Sequence, residues 1–233
     1  MIFIPIFIPN RVLNPVRVKY RDKIKTNSKM ETKEPIIQGS YYHIYNRGNN
    51  GIDVFLEPES YYHFLRLYAK YIEPVADTYA WCLLKNHFHL LVRIKDKTEI
   101  NENELTYSTI EKPKIIDPSR QFSHLFNAYT QAINKRHNRT GSLFETTFER
   151  KAVTSEKYFQ QLIFYIHNNP VHHGFVKQMS LYPWSSYETI ISNKPTMLKR
   201  SEVLEMYGDV ENFIFYHNQQ QNSNEINNLI IEY

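Results

Sequence analysis

Between residues 78 and 94 the chain reads TYAWCLLKNHFHLLVRI, two apolar runs with only Lys85 and Asn86 between them. Runs of this length, rich in aromatic and β-branched side chains, read as strands. A two-residue connection joins strands only as an antiparallel pair. Lys85 and Asn86 could therefore make the tight turn of a hairpin whose second strand begins at His87. The flanking segments extend this frame. Residues 41–47 (YYHIYNR) alternate and are aromatic-rich, which predicts another strand, and Gly48, Asn49, Asn50 and Gly51 mark the turn after it. Residues 58–72 place Tyr62, Leu65, Tyr68, Ala69 and Ile72 at helical spacing before Pro74. The polar stretch 95–118, with Pro113 and Pro118, predicts a long loop. Ser119 can then cap a helix over about 120–137, with Phe122, Leu125, Phe126, Tyr129, Ala132 and Ile133 on its apolar face. Residues 143–153 read as a strand. Ser155 caps a helix from about 156 to 167, which Pro170 is expected to end. The order strand, helix, strand, strand, helix, strand, helix predicts an α+β domain with an antiparallel sheet and packed helices.

The 233 residues suffice for one well-packed domain with appendages. Charge divides them unevenly. Residues 1–33 hold Arg11, Arg17, Lys19, Arg21, Lys23, Lys25, Lys29 and Lys33 against Asp22 and Glu31, a net +6, and the remaining 200 residues sum to −2. We expect 1–33 to be a disordered basic arm, or sequence lying ahead of a start at Met30, and 34–190 to form the main domain. Residues 191–233 should be a short helical and flexible extension, with helices near 201–207 and 210–217 and a Gln/Asn-rich stretch at 218–228. The near-neutral core means that any nucleic-acid site must be a local basic patch. Cys82 is the only cysteine, which excludes an intrachain disulfide and a cysteine-based zinc site and suits a cytoplasmic protein. No run is apolar enough to span a membrane, and Pro5 and Pro9 interrupt the apolar start, so neither a membrane anchor nor a signal peptide is expected. The 18 Tyr and 14 Phe suit aromatic strands and helix faces, and some rings could also stack on unpaired bases.

Two motifs carry chemistry. His87-Phe88-His89 lies on the second hairpin strand, where residues two apart face the same way, so both imidazoles can reach one metal ion. In a chain with ten histidines the triplet alone is weak evidence, and two histidines on a half-buried strand would look the same. The second motif closes the 156–169 helix. Tyr165 and Asn169 are four apart and share a face, offering a phenol oxygen and an amide oxygen side by side. A phenol attacks a phosphate only where the electrophile is polarised, as beside a divalent metal. Spacing alone does not choose Tyr165 over Tyr158, seven residues earlier on nearly the same face.

Several blocks in order, WCLLKNHFHLLVRI, RQFSHLFNAYTQAINKRHNRTGSLFETTFERKAV, YFQQLIFYIHNNPVHHGFV and YPWSSY, resemble the single-tyrosine HUH transposases over about residues 38–190. The resemblance is closest to the branch that includes the REP-associated tyrosine transposases. It implies a ferredoxin-like sheet with helices. It also implies His87, His89 and Asn169 as ligands of Mg²⁺ or Mn²⁺, and Tyr165 as the nucleophile of a transesterification on single-stranded or hairpin DNA. Both monomers and dimers that share active sites occur in the family, so a homodimer is one expectation. The sequence departs from the family pattern at Lys85, where Pro is usual, and at Glu145, Thr147 and Glu149, where Gln, Arg and a basic residue are expected. Arg47, Lys135, Arg136, Arg139, Arg150 and Lys151 remain as candidate DNA-binding residues. Two rival readings are a non-catalytic or domesticated DNA-binding protein of the same fold, and a metal-dependent hydrolase that uses water in place of Tyr165.

Overall fold

The computed structural model describes residues 35–105, 117–145 and 147–220. The basic arm at 1–33 and most of the Gln/Asn-rich tail lie outside them. Strand β1 spans Tyr41–Arg47, helix α1 Pro58–Tyr71, strand β2 Ala76–Leu83, strand β3 His87–Ile94, helix α2 Pro118–Arg136 and strand β4 Glu149–Val153. Helix α3 (Glu156–His172) follows, then α4 (Tyr187–Ile191), α5 (Arg200–Tyr207) and α6 (Val210–Gln220). The four strands form one antiparallel sheet in the order β2-β3-β1-β4. That order, with α1 and α2 as crossovers, is the ferredoxin-like arrangement expected.

Both faces of the sheet are covered, and the strand period decides which side chain meets which layer. Ile44, Phe88, Leu90 and Val92 point toward α1 and α2, where they meet Phe64, Phe122, Phe126 and Tyr129. Ala80, Cys82 and Leu91 point the other way, into a second core built on Phe159, Leu162, Ile163 and Ile166 of α3. A register shift in β2 between Thr78 and Ala80 adds Tyr79 to that second core. Each large aliphatic or Phe side chain among these, buried, stabilises the fold by about 1.5–3 kcal/mol before entropy is counted. Helices α5 and α6 belong to the second core through Val203 and Phe213, so packing continues past residue 190.

Three local expectations are corrected. Residues 143–145, 147 and 148 are not a strand: Leu143, Phe144 and Phe148 are buried, but among these described residues only Phe144 makes a sheet bridge, to Gly48. Asp117, and not Ser119, caps α2; its side chain accepts from the Ser119 N–H, and Pro118 takes the first helical position, where its missing donor costs nothing. Helix α3 runs on to His172 through Pro170. The proline sits in the last turn, so one ladder bond is lost rather than several. The chain is then closed by the His173 and Phe175 N–H groups donating to the Asn169 and Pro170 carbonyls.

Candidate active site

The register of β1 and β3 sets out the site. Arg47 lies opposite His87, Tyr45 opposite His89 and His43 opposite Leu91, all on the face covered by α3. His87 and His89 are buried with their ring centroids 5.2 Å apart. Helix α3 crosses this face and brings the Tyr165 ring to 5.2 Å from His89 and 6.1 Å from His43, edge-on to both. One turn later Asn169 donates from Nδ2 to the Tyr165 carbonyl at 2.9 Å, which fixes the orientation of its amide. Asn169 Oδ1 is buried and accepts no hydrogen bond of normal geometry from any described residue, yet the amide is close enough to His87 to favour that ring's protonated form. The structure thus brings Tyr165, His87, His89 and Asn169 together. Tyr158, the competitor by spacing, lies elsewhere on α3, with the Lys151 ammonium over its ring at 5.2 Å.

The electrostatics favour neutral imidazoles. Burial holds His87 down to about 4, helped by His173 and Arg47 and opposed by Asn169. Burial, with the neighbouring His43, His87 and His173, holds His89 well below the usual range. His43 is held down to about 3 by burial and by Lys151, which lies opposite it on β4. A neutral imidazole carries a lone pair, so two of them beside a buried amide oxygen form a donor set that suits a divalent cation without selecting one by geometry. Among the described residues, no group of three or more His, Cys, Asp or Glu side chains is arranged to hold a metal ion. Any cation here would be held by the mixed set His87, His89 and Asn169.

The six candidate DNA-binding cations do not form one patch. Arg47 and Lys151 lie on the face that carries the histidines, at the β1 end and on β4. Arg47 is ion-paired with Glu145 at 3.2 Å, which spends part of its charge. Arg150 faces the other layer, over the Phe148 ring at 5.5 Å. Lys135, Arg136 and Arg139 lie at or just past the end of α2, on that opposite layer, where Arg136 pairs with Glu57. Lys135 and Arg136 line a surface groove there with His63 and Arg66.

Sequence reasoning missed three polar residues. His43 Nε2 is 2.9 Å from His89 Nδ1, and His87 Nδ1 donates to Asn86 Oδ1 at 2.7 Å. His173, exposed just beyond α3, stands 5.1 Å from His87, ring to ring. Only the β1–β3 register reveals His43, whereas Asn86 could have been found from its place next to His87. Among the described residues no helix is long and apolar enough to cross a membrane.

No protein-family model matches the chain. It is 24% identical over 112 residues to a Haemophilus influenzae protein whose assigned name places it among the REP-associated tyrosine transposases. That match covers 48% of this chain and 58% of the relative, so the chain spans little more than half of that protein's length. A solved REP-associated tyrosine transposase, bound in that structure to a REP hairpin, superposes with a TM-score of 0.51 at 17% identity, over 72% of this chain and 89% of that one. At that identity the likeness establishes the fold. Over 112 residues of sequence, and in fold, this chain is similar to proteins named as REP-associated tyrosine transposases.

Proposed function

We propose that this protein is a metal-dependent enzyme that nicks and rejoins single-stranded, hairpin-bearing DNA through a 5′-phosphotyrosine at Tyr165. One observation carries the reading: the helix bearing Tyr165 and Asn169 one turn apart lies across the strand bearing His87 and His89, with Tyr165 and His89 in ring contact. The relative named for transposition and the fold neighbour bound to a REP hairpin support DNA, and hairpin DNA in particular, as the substrate. His87, His89 and Asn169 would hold Mg²⁺ or Mn²⁺, which when bound supplies Lewis-acid polarisation of the scissile phosphate.

The remaining chemistry belongs to the chain. The Tyr165 oxygen attacks phosphorus, the new Oη–P bond replaces the bond to the 3′ oxygen, and the phenol's proton is balanced by the one the departing 3′-hydroxyl takes up. A second strand's 3′-hydroxyl reverses the exchange, so the ester's energy is retained and no nucleotide cofactor is needed. Asn169 ties the Tyr165 turn through its backbone carbonyl, which limits the rotation of the nucleophile's own helix segment. Tyr165 is only 5% exposed, so a DNA strand reaches it only after its neighbours part or its ring swings out. Arg47, beside His87, is the nearest of the candidate phosphate contacts.

The test is incubation of purified protein with Mn²⁺ and a labelled single-stranded hairpin oligonucleotide, read as a covalent adduct on a denaturing gel. The wild type is expected to form the adduct and Tyr165→Phe to lose it. An adduct that survives in the Phe variant overturns the assignment of the nucleophile. Nicking with turnover but no adduct points to a water-using hydrolase, and binding without nicking points to a non-catalytic DNA-binding protein.

A further inference from the structure

Two strands meet at the site, and the contact between them is more specific than packing. In the β1–β3 register His89 stands opposite Tyr45, and His43 lies one pair further along the same face, so His43 and His89 are diagonal neighbours. Their rings stack at 5.1 Å and 30°, and Nε2 of His43 approaches Nδ1 of His89 to 2.9 Å. A hydrogen bond between two imidazole nitrogens holds one proton, and its ownership decides what His89 can do. If His43 owned it, the proton of neutral His89 would sit on Nε2, and that nitrogen could not bind a cation. If His89 owns it, Nε2 of His89 carries a lone pair.

The neighbouring ring settles its own case by chemistry. Asn86 Oδ1 can only accept, so His87 is protonated on Nδ1 and its lone pair is on Nε2. We propose that His43 is a positioning residue that does for His89 what Asn86 does for His87: it accepts the Nδ1–H and fixes the tautomer and ring plane, so that both strand histidines present Nε2 to one site. His43 is then not a third ligand, although three histidines cluster here, because its Nε2 is committed to His89. In metal sites such partners of a ligating histidine are commonly worth 10–100-fold in affinity. The consequence for cation binding rests on the proposed metal site; the tautomer assignment stands apart from it.

The experiment uses the full-length protein with histidine labelled in ¹⁵N, free of metal at pH 7.5, and long-range ¹H–¹⁵N spectra assigned by comparison with His89→Ala. His89 is expected as the Nδ1–H tautomer in the wild type and as a mixture or the other tautomer in His43→Phe, which fills the space without accepting a hydrogen bond. Mn²⁺ affinity, measured by electron paramagnetic resonance, should fall 10–100-fold in His43→Phe. Most of it should return in His43→Gln, whose amide oxygen can take the place of Nε2. An Nε2–H tautomer in the wild type overturns the proposal. So does a folded His43→Phe with wild-type tautomer and Mn²⁺ affinity. Should His43→Phe fail to fold, the wild-type tautomer and the Gln variant decide. If the wild type binds Mn²⁺ no better than His89→Ala, the metal reading falls, and the spectra still decide the role of His43.

Discussion

Acid should destabilise this protein well above the range where carboxylates titrate. His43, His89, His167 and His217 are almost wholly buried and His87 nearly so, and each is held neutral in the folded state. Burial is the first cause in every case, taking His43 and His217 to about 3, His87 to about 4, and His89 and His167 well below the usual range. In the unfolded chain each returns to about 6.5. Below that pH the unfolded state binds more protons than the folded one, so stability is lost as pH falls and recovered as it rises. Between pH 7.5 and 5.5 each such ring costs about 1.4 kcal/mol. Four of the five form nitrogen–nitrogen pairs, His43 with His89 and His167 with His217. If each pair can take one proton without opening, three rings count; otherwise five do. The expected loss is about 4–7 kcal/mol, a large part of the roughly 5–15 kcal/mol that holds a domain together. Glu73 opposes this, since burial raises its carboxyl, but as one group at most. Urea unfolding at pH 7.5, 6.5 and 5.5, with chelator present so that no cation adds its own linkage, measures the slope directly. A loss below about 1.5 kcal/mol over those two units would mean that the rings are hydrated or charged in the native state, and the argument for a neutral donor pair at 87 and 89 would fail with it.

Two further outcomes follow from contacts around β1. A Cβ on Gly48 would lie 2.0 Å from the Ile52 carbonyl oxygen, and Gly48 N–H donates to the Asn86 carbonyl at 2.7 Å, so Gly48→Ala must displace the turn that ties β1 to the hairpin. It should cost at least about 1–3 kcal/mol, read as a lower urea midpoint, and an unchanged midpoint would contradict the geometry. Glu145→Gln removes the carboxylate paired with Arg47 and should tighten binding of a hairpin oligonucleotide several-fold at low salt and less at high salt in fluorescence anisotropy; equal affinity at both would remove Arg47 from the DNA path.

How much of this could be read from the sequence depends on whether the signal was local. The hairpin at 85–86, the alternation of β3 and the apolar stripe of α2 are properties of neighbouring residues, and they gave the element order and an antiparallel sheet, while the ferredoxin-like arrangement came from the family resemblance. Apolar alternation at 143–148 misled because it reports burial: Leu143, Phe144 and Phe148 do fill the first core, but without a ladder partner beyond one bridge. Pro170 misled because a proline in the last turn removes a single bond. At the site, His87 with His89 and Tyr165 with Asn169 are readable pairs, since each lies on one element. The preference for Tyr165 over Tyr158 is not local. Seven residues are about 10 Å of helix, and only the crossing of α3 over β3 decides which phenol meets His89. His43 was unreadable for the same reason, because its importance depends on the register between two strands, β1 and β3, that are separated by residues 48–86 of the chain.

What fixes that crossing is found behind the helix. His167 stands midway between Tyr165 and Asn169 in sequence, about 200° around the helix from each, and so points away from the strand histidines. Its bonds can run in only one direction. The His217 Nδ1–H donates to the Phe213 carbonyl, so His217 Nε2 must accept from the Nδ1–H of His167. His167 Nε2 then accepts from the Ser186 hydroxyl, whose oxygen in turn accepts the Trp81 N–H from β2. Each ring nitrogen of His167 and His217 thus has one partner, an arrangement that a turn of α3 by a single residue, about 100°, would undo. The same turn would carry Tyr165 off His89. Helix α6, which the sequence suggested as part of an appendage, thus holds one end of the brace that sets the rotation of the helix carrying the proposed nucleophile.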